Sequence, residues 1–184
     1  MSVFTISLAS VTLAEIGDKT QLLSLVLVSR FGKPLPIIAA IVCATLLNHA
    51  VAAWLGMELS SFISPQVLRY LLIMSFIAMA IWILIPDKLE QQRVASHGPF
   101  IASFIAFFIA EVGDKTQIAT TILGARYPEE LSWVVIGSTL GMLLANAPVV
   151  WIGRWSADKL PLPLVRRVTA VLFVVLALFT GFGV

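Results

Sequence analysis

Ala14–Gln21 reads AEIGDKTQ and Ala110–Gln117 reads AEVGDKTQ, so seven of eight positions agree at a spacing of 96 residues. The agreement runs on: Trp54-Leu55-Gly56 answers Trp151-Ile152-Gly153 at an offset of 97, and Arg69 answers Arg166. Similarity held at one spacing over that distance is an internal repeat. Both octapeptides place a Glu, an Asp and a Lys inside long apolar runs, and that contradiction decides how the rest of the chain is read.

The chain has 184 residues, of which 59% are hydrophobic and 12% charged, with a mean hydropathy of +0.99. A water-soluble domain of this size needs far more charge to cover its surface, so the solvent around this one is expected to be lipid. The net charge of +2 is too small to suggest nucleic acid. The single cysteine, Cys43, excludes an internal disulfide and reads as helix packing.

Stretches with little or no charge outside the octapeptides run over 3–29, 35–56 and 70–85, then over 99–125, 131–153 and 168–184. Their lengths, 27, 22 and 16 followed by 27, 23 and 17, repeat a long–medium–short order. Each meets or approaches the ~20 residues that cross the hydrocarbon, the short ones with help from Arg69 and Arg167 snorkelling to the headgroups. Trp54, Trp82, Trp133, Trp151 and Trp155 fall near predicted helix ends, as an aromatic belt requires. The first stretch lacks a basic n-region and is too long for a signal peptide, so it reads as a retained helix.

Six spans put Arg30, Lys33, Lys88, Arg93, Arg154, Lys159, Arg166 and Arg167 on one side, against Arg69 and Arg126 on the other. By the positive-inside rule the first side is cytoplasmic and both termini face away from the cytoplasm. Three helices per unit is an odd number, so the second copy enters the membrane from the opposite side. The expected fold is an all-α integral membrane protein of six transmembrane helices in two inverted three-helix repeats: residues 1–86, a cytoplasmic linker at 87–98, and residues 99–184. Many secondary transporters follow this plan, with the substrate site near the midplane.

Glu15 lies roughly 20 Å from either end of its predicted helix at ~1.5 Å per residue, and Glu111 is placed alike. Ionised groups at that depth each cost on the order of 3 kcal/mol, so they must pair, face water or bind an ion. On an unbroken helix Glu15, Asp18 and Gln21 share one face, as do Glu111, Asp114 and Gln117. Lys19 and Lys115 then stand four residues after their glutamates, in position for an i,i+4 ion pair. Gly17 and Gly113 permit a kink or a close approach. Thr20 and Thr116 point elsewhere unless the helix breaks at glycine. Four carboxylates and two amide oxygens would suit a hard divalent cation such as Ca²⁺ or Mn²⁺. A Glu–Lys clamp that merely packs helices is the bland alternative, and two copies, each with a spare carboxylate, weaken it. Asn48 and Asn146 either extend the site or bond between helices. His49 reads as a packed histidine, and Ala40-x3-Ala44 and Gly137-x3-Gly141 as small-residue contact faces between the repeats.

Glu15–Thr20 and Glu111–Thr116, each on the first helix of a three-helix half, resemble the E-x-G-D-[KR]-[TS] motifs of the Gdt family of manganese/calcium–proton exchangers. Both match without departure, and the similarity covers essentially the whole chain. The resemblance implies divalent-cation transport carried by Glu15, Asp18, Glu111 and Asp114. With neither a long acidic central loop nor a targeting extension, the chain looks like a small prokaryotic inner-membrane member, a size at which the family resembles manganese exporters. The expectation is therefore an antiporter moving Mn²⁺, or Ca²⁺, against protons. No resident cofactor is expected; the partners are cation, protons and bilayer, and a homo-oligomer stays open. A passive cation channel and a membrane assembly or scaffold protein are the alternatives. No protease-like Ser-Lys, His-Glu-x-x-His or paired-aspartate pattern points to an enzyme.

Overall fold

The computed structural model describes residues 2–82, 84 and 98–153, with single positions between 167 and 181. Residues 87–97 of the predicted linker, the loop charges Lys88, Arg93, Arg154, Lys159 and Arg166, Trp155 and most of the sixth predicted span lie outside the described residues.

Among the described residues the regular structure is helical: α1 (Val3–Glu15), α2 (Lys19–Phe31), α3 (Pro34–Phe62), α4 (Pro65–Trp82), α5 (Pro99–Glu111), α6 (Lys115–Arg126), a 3-10 turn (Pro128–Glu130) and α7 (Leu131–Ile152). The punctuation is local. Ser2 caps α1 by accepting the Thr5 N–H at 3.3 Å. Gly32 ends α2 with φ 61°, and Pro34 and Pro99 open α3 and α5, where a missing N–H costs nothing. Two segments, Pro34–Phe62 and Pro128–Ile152, are each long and apolar enough to cross a membrane. Large apolar side chains such as Leu35, Phe62, Tyr70 and Trp151 stand exposed on α3, α4 and α7, a surface that water would penalise.

One expectation is corrected. The first stretch of each half is not a continuous helix. It runs 13 residues, breaks for three, and resumes as α2 or α6. Glu15 and Glu111 thus end one helix, while Asp18 and Asp114 precede the next. α3 also runs to Phe62, past the expected end at Gly56.

The two halves exchange partners. α1 of the first half packs chiefly on α7 of the second, and α5 and α6 of the second half pack on α3 of the first. Small residues make this possible, as expected for Gly137 and Gly141. A Cβ at Gly137 would come 2.7 Å from the Phe4 carbonyl, and one at Gly141 2.7 Å from the Leu8 carbonyl, so only glycine allows α1 to lie this close. Gly56 and Gly124 play the same part between α3 and α6, against Thr121 and Ala53. Val11, Leu27, Ile41, Phe107 and Met142 fill the core between the elements.

Candidate ion site

Each E-x-G-D stretch folds as a turn between two helices. Ile16 (φ −64°, ψ 119°) and Val112 (φ −62°, ψ 119°) hold its first central position. Gly17 (φ 81°) and Gly113 (φ 76°) hold its second. The Asp18 N–H donates to the Glu15 carbonyl at 3.0 Å, and the Asp114 N–H to the Glu111 carbonyl at 3.1 Å. This is a type II turn, which demands positive φ at its third residue and hence glycine.

The glutamines one turn further on brace the break. The Gly17 N–H donates to Gln21 Oε1 at 2.8 Å, and the Gly113 N–H to Gln117 Oε1 at 2.6 Å. Gln21 also donates through Nε2 to the Ala145 carbonyl at 2.9 Å. Both amide oxygens expected to face the cation are thus engaged with the backbone of the turn.

The aspartates occupy the N-cap positions of α2 and α6 without capping them. Each pairs instead with a lysine of the other half. Lys115 Nζ lies 2.8 Å from Asp18 Oδ1, and Lys19 Nζ lies 2.8 Å from Asp114 Oδ1. This replaces the expected i,i+4 Glu–Lys pairs, because the turn carries each lysine off its glutamate's helical face. The two ion pairs are equivalent in sequence but not in setting: the Lys115 side chain is 4% exposed and the Lys19 side chain 27%.

The glutamates are fully buried and differently held. Asn146 Nδ2 donates to Glu15 Oε1 at 2.9 Å, and Ser24 Oγ donates to Asn146 Oδ1 at 3.0 Å. Thr116 Oγ1 donates to Glu111 Oε2 at 2.7 Å. The break thus gives Thr116 the role an unbroken helix would deny it, while Thr20 Oγ1 is buried with no partner among the described residues. Asn48 donates to the Phe108 carbonyl at 3.1 Å, an interhelical bond between α3 and α5. Ser24 was not foreseen; its signal was a small polar residue one turn past the motif in an apolar run.

One oxygen of each carboxylate is therefore committed and the other is spare. Glu15 Oε2, Asp18 Oδ2, Glu111 Oε1 and Asp114 Oδ2 are all buried without a partner among the described residues. Buried acceptors are rarely left so. The Glu15 carboxylate lies within electrostatic reach of Glu111, Asp18 and Asp114. Among the described residues no three acid, imidazole or thiol side chains already stand as a metal shell. The arrangement offers anionic oxygen to a cation and sets two ammonium groups against the aspartates.

The profile of a family described as divalent cation/proton antiporter GDT1 matches residues 3–91 and 99–183. Over 183 residues the chain is 64% identical to a Vibrio cholerae protein named "Putative manganese exporter", covering 99% of this chain and 92% of that one. GDT1-like protein 5 of Arabidopsis thaliana is 24% identical over 212 residues, 94% of this chain and 92% of its own. A GDT1-like protein of Synechocystis is 24% identical over 201 residues, 96% of this chain and 95% of its own. No solved structure matches the chain.

Proposed function

The chain belongs to the GDT1 divalent cation/proton antiporter family, and from that premise we propose that it exports Mn²⁺, with Ca²⁺ as a second cargo, from the bacterial cytoplasm in exchange for protons. It does so as six transmembrane helices in two inverted repeats, 1–86 and 99–184, with 87–98 cytoplasmic and both termini outside. The lysine and arginine asymmetry of the loops supports that orientation.

The observation that carries the reading is the set of four spare buried oxygens, one each on Glu15, Asp18, Glu111 and Asp114. Hard divalent cations take such ligands. Gln21 and Gln117 hold the turns that present them, and Asn146 and Thr116 fix the glutamates. The charge balance supports exchange rather than leak. Four ionised carboxylates and two lysines leave the empty site at −2. One divalent cation brings it to zero, and so do two protons. Both loaded forms are neutral and free to change access, while the empty form is held back by the cost of buried charge.

The test is Mn²⁺ uptake by proteoliposomes under an imposed pH gradient at clamped voltage. Uptake should saturate and rise when the cation-receiving side is the more acidic. Flux indifferent to the pH gradient and steep in voltage would instead mark a channel.

A further inference from the structure

His49 of α3 is fully buried, and neither Nδ1 nor Nε2 has a hydrogen-bond partner among the described residues. Packing alone does not offset two dry ring nitrogens. The offset of 97 that aligns Trp54-Leu55-Gly56 with Trp151-Ile152-Gly153 aligns His49 with Asn146, the residue that grips Glu15 at 2.9 Å. The residue beside it, Asn48, bonds the Phe108 carbonyl of α5 at 3.1 Å. That carbonyl lies one turn before Glu111, whose Oε1 is buried and spare. α3 therefore runs past the Glu111 half of the site as α7 runs past the Glu15 half. At the repeat-related position one half has an amide, Asn146, and the other an imidazole, His49.

We propose that His49 is a cation ligand on the Glu111 side, and that its nitrogen makes the site favour a d-block divalent cation such as Mn²⁺ over Ca²⁺ and Mg²⁺. This rests on the transport reading above and adds to it a nitrogen donor and a basis for selectivity. Ca²⁺ and Mg²⁺ bind through oxygen, whereas imidazole is a ligand of transition metals. An oxygen-only site would discriminate among these ions by size and hydration alone. The acids and the imidazole form no closed shell as they stand, so the arriving cation draws them together.

Two measurements on the purified full chain test this. Mn²⁺ bound to the wild-type protein should show nitrogen hyperfine coupling in pulsed electron paramagnetic resonance, and His49→Asn should remove it. In proteoliposomes His49→Asn, which makes the two halves alike, should lower the ratio of Mn²⁺ to Ca²⁺ apparent affinity on the order of tenfold. Bound Mn²⁺ without nitrogen coupling in the wild type overturns the proposal, as does an unchanged affinity ratio in the variant. The wild-type spectrum decides the matter even if His49→Asn does not fold. Absence of any Mn²⁺ flux in the wild type would defeat the transport reading instead.

Discussion

The Lys115 ammonium, from the second half of the chain, sits 2.8 Å from the Asp18 carboxylate of the first, with its side chain 4% exposed. The related pair, Lys19 with Asp114, has the same length but a lysine 27% exposed. Removing one partner of a buried pair deprives the other of its counter-ion, at about 3–5 kcal/mol, whereas a lysine that reaches water is spared most of that. Asp18→Asn should therefore destabilise the protein more than Asp114→Asn. Adding Lys115→Met to Asp18→Asn should recover much of the loss. Thermal unfolding in detergent checks this; equal losses for the two aspartates would show that the difference in exposure carries no energetic weight.

Glu15→Gln and Glu111→Gln should leave abundance near normal and abolish metal transport. A glutamine carbonyl still accepts the Asn146 or Thr116 hydrogen bond, so the fold keeps its contact while the site loses an anionic oxygen. Flux assays alongside protein quantitation separate the two effects. Half-maximal flux after removing either glutamate would mean two independent sites.

Gly17→Ala and Gly113→Ala place a Cβ where φ is 81° and 76°, at a cost of about 1–2 kcal/mol each. Asparagine, which tolerates this region better, should cost less at either position. Transport should fall further than stability in every case, because the turn sets where Glu and Asp stand. A shift in melting temperature without loss of transport would contradict that.

Loop charges predict that a reporter fused after Val184 is active only if it works outside the cytoplasm, and that one inserted near Gln92 behaves oppositely. Both reporters active on the same side would break the six-span arrangement.

The duplicated motif, the burial of its acids and the glycine faces of α7 could all be read from the residues themselves. The broken helices were not, because hydropathy sums over 3–29 and 99–125 and does not register three residues in the middle. The signal was present nonetheless: Gly followed by Asp is turn chemistry leading into an N-cap. Missing the break misassigned the lysines, since the i,i+4 rule holds only along a continuous helix. The cross-half pairing of Lys115 with Asp18 has no local sequence signature at all. Asn146 could be singled out as a polar residue in an apolar span, but its grip on Glu15 is a tertiary fact.

The glycine seam makes the two halves depend on each other. α7 offers Gly137 and Gly141 to α1, and α3 offers Gly56 to α6, so each half completes its partner and neither completes itself. Cut between the two halves, the chain would leave bare backbone grooves and stranded charges on both pieces.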